Sequence, residues 1–191
     1  MDLDHIKQYV KEQMSEKRWQ HTLGVMESSV KLATKYGANP DKAYLASLLH
    51  DVAKYWPVDK LREIIVSEQL YPDMLEYDNQ LLHSHVGAYV AQTQFNIRDE
   101  EVLDAIRFHT SGRENMTLLE KIVCLADYIE PGRDFPNVER IRALAEQSLE
   151  KALIAGIDST ISFLIAKGKK IYPLTVLARN SLIDEIRGHA S

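Results

Sequence analysis

A histidine followed at once by an aspartate closes an apolar stretch of this chain, Ala46-Ser47-Leu48-Leu49-His50-Asp51-Val52-Ala53-Lys54. That pair restricts what the chain can fold into more than any other feature. A carboxylate or an imidazole set among apolar residues is costly to bury without a compensating partner. Further groups of the same kind, His21, His83, His109 and Asp127, also stand in apolar helical settings. Imidazole and carboxylate are ligands that borderline divalent metals accept. Such groups on several helices imply a bundle whose core holds one or two metal ions, and so a metal-dependent hydrolase.

The rest of the chain agrees with a bundle. Apolar residues recur at helical spacing, and 8 Gly and 6 Pro are few for a β-rich chain of 191 residues. The length suits one domain over 1–191, and 45% hydrophobic residues fill its core. Helices are expected from about Leu3 to Glu16, Trp19 to Tyr36, after Pro40 with an end before Pro57, after Asp59, and over Leu81 to Gln94. More follow over Asp99 to His109, Thr117 to Ile129, Val138 to Ser148, Leu153 to Lys167 and Thr175 to Arg187. Gly37 reads as a helix stop, Asn39-Pro40 as a cap with proline in the first turn, and Tyr71-Pro72-Asp73 as a loop. Residues 110–116 and 130–137 are the main loops. The fold class is all-α.

Charge and cysteine content exclude other classes. A formal charge of −5 gives no general preference for nucleic acid, though it leaves room for a local basic pocket. The compact basic stretch Lys167, Lys169, Lys170 lacks a stacking platform. The single Cys124 rules out an internal disulfide and suits a reducing compartment. No apolar run is long enough to span a bilayer, and the start Met1-Asp2-Leu3-Asp4-His5 lacks the pattern of an export signal. The expectation is a soluble, cytoplasmic protein without a membrane partner.

Taken singly, each donor has a plain reading. A histidine on an apolar helix face is usually a hydrogen-bonded core residue, and Asp127 alone reads as an ion-pair partner. The ordered set is more specific than its parts. His21 shares a face with Val25, Ser28 and Leu32; His50 with Ala43 and Ala46; His109 with Val102, Ala105 and Ile106; Asp127 with Leu119 and Val123. Cys124 reads as a small core residue, and Trp19 and Trp56 as core or rim aromatics that could also stack a base.

The order His21, His50-Asp51, His83, His109, Asp127 resembles the H…HD…H…H…D signature of the HD-domain metal-dependent phosphohydrolases. The stretches Arg18-Trp19-Gln20-His21-Thr22-Leu23-Gly24-Val25, Ala46 to Lys54, His109-Thr110-Ser111-Gly112 and Ala126-Asp127-Tyr128-Ile129-Glu130-Pro131-Gly132-Arg133-Asp134-Phe135-Pro136 are similar to the YqeK family within it. Those are bacterial symmetrical bis(5′-nucleosyl)-tetraphosphatases, and the likeness runs over nearly the whole chain. It implies an HD-type bundle and hydrolysis of diadenosine tetraphosphate into two ADP. His83 takes the ligand position; His85, two residues on, is expected in a pocket or at the surface, since residues two apart point to different sides of a helix. His5 and His189, near the termini, read as solvent-exposed.

The donor set suits two divalent ions, with iron placed first and manganese, cobalt or zinc also compatible. Asp51 is expected to bridge them, with His21, His50 and Asp127 on one ion and His83 and His109 on the other. Ions about 3.5–4 Å apart share a water and lower its pKa, giving a hydroxide for in-line attack on phosphorus. Asp51 and Lys54 are the catalytic candidates. Lys54, Thr110, Ser111, Gly112 and Arg133 are candidates for holding the nucleotide substrate, with Arg113 a weaker one. A homodimer is the expected assembly. Competing expectations are an HD-family nucleotidase or alarmone phosphohydrolase, and a non-catalytic HD-like sensing module; the complete donor set argues against the module.

Overall fold

The computed structural model describes residues 2–188, and these form ten α-helices with no strand among them. The expected His189 lies outside the described residues. Helices α1 (Leu3–Glu12) and α2 (Glu16–Tyr36) are separate because Ser15 caps α2, its hydroxyl accepting from the Arg18 N–H. The first helix is therefore shorter than its apolar stripe suggests: Ile6 and Val10 are buried, while Met14 falls between the two helices. Gly37, at φ 81°, ends α2 in the left-handed conformation that glycine adopts without strain. Asn39 caps α3 (Pro40–Leu49), with Pro40 in its first turn.

Then come α4 (Val58–Ser67) and 3₁₀ turns at Pro72–Glu76 and Asn79–Leu81, the first where the sequence suggests only a loop. The remaining helices are α5 (Leu82–Gln94), α6 (Glu100–Arg107), α7 (Leu118–Ile129), α8 (Val138–Ala145), α9 (Leu149–Ala166) and α10 (Pro173–Gly188). Ser148, accepting from the Lys151 N–H, starts α9 ahead of the apolar run at Leu153.

Helix α7 is the central post. Its residues Leu119 to Ala126 are all buried, and it packs against α2, α3, α6, α8 and α9. A Thr117–Glu120 capping box fixes its start. Its C-terminal end, with Asp127 and Glu130, thus reaches α2 and α3. The same packing brings α5 and α6 beside α3, so all the donor-bearing segments meet at one end of α7.

Candidate metal centre

The HD pair sits where α3 stops. His50 is its C-cap, and the chain continues in tight turns: the Val52 N–H donates to Leu49 O (3.1 Å), Lys54 N–H to Asp51 O (2.9 Å) and Trp56 N–H to Ala53 O (3.1 Å). Residues three apart lie on one side of such turns. Asp51 and Lys54 therefore share a side although the α-helix expected there has ended.

Asp51 is almost fully buried and its two oxygens face two groups of imidazoles. Oδ2 is 3.0 Å from His50 Nε2 and 3.6 Å from His21 Nε2, and His21 Nε2 is in turn 3.1 Å from Asp127 Oδ1. Oδ1 is 3.1 Å from His83 Nε2 and 3.9 Å from His109 Nε2, and those two nitrogens are 3.2 Å apart.

Every ring is aimed by its other nitrogen. His50 Nδ1 meets Ser47 O at 2.5 Å, His83 Nδ1 meets Gln80 O at 2.6 Å, and His109 Nδ1 meets Ile106 O at 2.8 Å. Each carbonyl comes from three residues earlier, so the local turn itself orients the ring. His21 differs: its Nδ1 lies 3.0 Å from Glu130 Oε1. A ligating histidine commonly uses its second nitrogen in this way, which leaves Nε2 free to bind a cation.

These residues fit divalent cations. His21 Nε2, His50 Nε2 and Asp51 Oδ1 are buried without a hydrogen-bond partner, which is costly unless something charged satisfies them. His21, His50 and Asp127 can converge on one ion, and so can His50, Asp51 and His109. Burial works against ionisation of Asp51, yet the His50 charge and hydrogen bonds from His50 and His83 hold it well below the usual carboxylate range. Asp127, likewise opposed by burial, is lowered by His21 and Arg133. Burial pushes His83 down, and His109 well down with help from His50 and His83. His50 moves the other way: burial opposes its protonation, but the Asp51 charge and hydrogen bond raise its pKa. Ionised carboxylates and neutral imidazoles are the forms that ligate metal, so an ion bound at His50 would displace its proton.

Residues 18–132 match the HD domain family. The chain belongs to that family. This HD-domain protein is 45% identical, over 92% of its length and 94% of the relative's, to the symmetrical bis(5′-nucleosyl)-tetraphosphatase of Bacillus subtilis. It is 48% identical to the protein of the same name from Halalkalibacterium halodurans, over 93% of this chain and 95% of that one. A crystal structure of a Clostridium acetobutylicum protein, named a predicted HD superfamily hydrolase involved in NAD metabolism, superposes with a TM-score of 0.92 at 44% identity, covering 97% of this chain and 98% of that one.

Two clefts open at the HD centre. Lys54, His109, Thr110, Asp127 and Arg133 border one; Arg18, His21, Glu130 and Arg133 border the other. Burial lowers the Lys54 pKa while Asp51 opposes that shift, and the amine has no ion-pair partner among the described residues. Arg133 pairs with Asp127 through Nη2 and donates to its carbonyl at 2.7 Å. Thr110 Oγ1 lies 3.1 Å from His109 Nε2. Ser111 and Gly112 border neither cleft: the Ser111 hydroxyl donates to Gly112 O, and Gly112 packs against Ala178 of α10. Arg113 is spent on Asp104 and Glu120 and covers the Phe108 ring.

The other flagged residues are structural. His85 lies in the core between Tyr71 and Phe108 and borders neither cleft, so burial removes it from the surface. Trp19 is buried, and Trp56 donates to Gln13 under Lys60, so neither flanks a base site. Cys124 is buried, and burial pushes its thiol up. His5 is exposed. No described helix is long and apolar enough to cross a membrane.

Sequence reasoning gave no role to three residues. Arg18 pairs with Asp51 Oδ2. Glu130 is buried beneath His21, its Oε2 accepting from the Gly132 N–H at 2.5 Å. Arg142 of α8 donates to the carbonyls of Ile129 (3.0 Å), Glu130 (2.8 Å) and Arg133 (3.0 Å), fixing the segment that carries Glu130 and Arg133. Glu130 did carry a signal. It is the C-cap of α7, where the helix dipole disfavours a carboxylate, and such local conflicts mark functional positions.

Proposed function

We propose that this protein hydrolyses dinucleoside tetraphosphates at the middle of the phosphate chain, giving two ADP from diadenosine tetraphosphate. One observation carries the reading. Asp51 presents each oxygen to its own imidazole group, the arrangement a carboxylate needs to bridge two ions. The high identity to relatives named symmetrical bis(5′-nucleosyl)-tetraphosphatase supplies the substrate class.

In this reading His21, His50 and Asp127 would hold one divalent ion, His83 and His109 would hold the other, and Asp51 would serve both. When bound, the ions supply Lewis-acid charge and lower the pKa of an attacking water. The chain does the rest. Lys54, free of any carboxylate partner, neutralises a phosphate oxygen beside the reacting phosphorus. Arg133 grips a neighbouring phosphate, and Thr110 reaches the same space through its hydroxyl. Arg18 comes to the centre from the other cleft. Ser111 and Gly112, placed away from both clefts, support the turn after His109. A nucleoside diphosphate is a good leaving group, so no side chain need protonate it. We assign iron as the first candidate metal, and the cytoplasm as the compartment.

Product analysis tests the proposal. Chromatography of diadenosine tetraphosphate incubated with the metal-loaded protein is expected to show ADP as sole product, with formation abolished by chelator and restored by divalent metal. ATP with AMP, or turnover that survives chelation, contradicts it.

A further inference from the structure

We infer that the dinucleoside substrate lies across both clefts, one nucleoside in each, with the loop around Arg133 and Phe135 as the wall between them. The inference rests on the hydrolase reading above and adds where the two halves sit.

The clefts are similar in size, about 1190 Å³ and about 1010 Å³, and each exceeds a single nucleotide. Each reaches the metal centre through different donors: the first at Lys54, His109 and Asp127, the second at Arg18 and His21. They share only Arg133 and Phe135 among their lining residues. Cleavage at the middle of the phosphate chain leaves one adenosine diphosphate unit on each side of the scissile P–O bond, so two arms lead away from the reacting centre. An enzyme acting on a mononucleotide needs one such arm.

The chemistry of the walls fits a nucleotide in each. The first cleft runs between α8 and α9 over Ile141, Leu144, Ile154, Ala155 and Phe163. Phe163 is 56% exposed there, an apolar face that a purine can cover. At its rim Arg140 and Lys151 are exposed, and their side chains have no partner among the described residues. The second cleft offers Leu23 and the Tyr55 ring, 58% exposed, with unpartnered Lys17 beside Arg18. Apolar surface for a base beside an uncommitted cation thus occurs in both clefts, Arg140 and Lys151 serving the first and Lys17 alone the second.

The test fills one cleft at a time. Ala155→Phe narrows the first and Leu23→Trp the second. Calorimetry on metal-loaded protein uses a diadenosine tetraphosphate analogue whose two central phosphorus atoms are joined by methylene, which resists cleavage. One analogue per chain is expected for the unsubstituted protein, and each variant should bind it at least tenfold more weakly with metal content unchanged. Adenosine 5′-tetraphosphate, with the same phosphates and one nucleoside, should bind the unsubstituted protein at least tenfold more weakly than the analogue. Charge reversal at exposed positions, Arg140→Glu with Lys151→Glu for the first cleft and Lys17→Glu for the second, repeats the test without touching packing and should weaken the analogue at least threefold. Unchanged affinity on blocking either cleft, or equal affinity for the two tetraphosphates, overturns the inference. Failure of the hydrolase reading shows separately, as no ADP formed by the unsubstituted protein.

Discussion

Glu130 and His85 show how differently two buried ionisable residues can be used. Glu130 reaches His21 because position 24 is glycine: a Cβ there would lie 2.6 Å from Glu130 Oε2. Its Oε1 lies 3.0 Å from Nδ1 of the one imidazole in the centre that no backbone carbonyl aims, and as a carboxylate it favours a proton on that nitrogen. Glu130→Gln keeps the shape and changes what the amide can accept or donate, so metal affinity should fall about 10- to 100-fold. Competition with a fluorescent chelator measures this, and unchanged affinity would mean that Glu130 does not position His21. His85, by contrast, has no protein partner for either ring nitrogen. Burial first, then Arg107 and His83, push its pKa down from 6.5 to about 3. The folded chain therefore refuses a proton that the unfolded chain takes up, and stability is lost as pH falls below about 6.5. His85→Leu should stabilise metal-free protein by about 1–3 kcal/mol near neutral pH. Its advantage should grow by about 1.4 kcal/mol for each pH unit below 6.5. Urea unfolding at pH 7.5 and 5.5 checks both, and an equal gap at the two pH values contradicts the account.

At the scale of elements, the site depends on where helices end. The termination of α3 at Leu49, the turns after His50 and the end of α7 at Ile129 place Asp51, Lys54, Asp127 and Glu130 around one space. The sequence made the donors themselves legible, since an imidazole or carboxylate in an apolar helical run is conspicuous. It made the capped start at Pro40 legible through Asn39, and its helical spacing put the start of α7 within a residue of Leu118, although the Thr117 cap itself went unread. It did not expose the break at Ser15 or the early start of α9, where a serine cap outweighs the apolar pattern. Nor did it expose Arg142, whose acceptors are backbone carbonyls and so leave no residue-type trace. Arg142→Ala removes those three bonds, each involving a charged donor, and should free the segment that bears Glu130 and Arg133. The expected result is about a tenfold lower kcat/KM for diadenosine tetraphosphate. Full activity in the alanine variant would show that the segment needs no such clamp.

Over the whole molecule, α7 acts as a shared wall. One face buries the apolar core against α2, α3 and α6, and the other supports α8 and α9, which lie beyond residue 132 and form the apolar cleft. The close approach of α9 is set at Gly156, where a Cβ would lie 2.9 Å from the Tyr128 ring. The fold class was therefore readable from periodicity, but the α8–α9 wall of the first cleft was not, because it depends on the angle at which these helices pack on α7 rather than on any residue pattern. The claim on which the rest depends is that Asp51 holds two cations between its two oxygens. Elemental analysis of metal-reconstituted protein is its most direct test. About two divalent ions per chain are expected, falling to about one or fewer in Asp51→Asn with the helical circular dichroism retained. A single ion in the unsubstituted protein, or both ions kept by Asp51→Asn, would contradict the account.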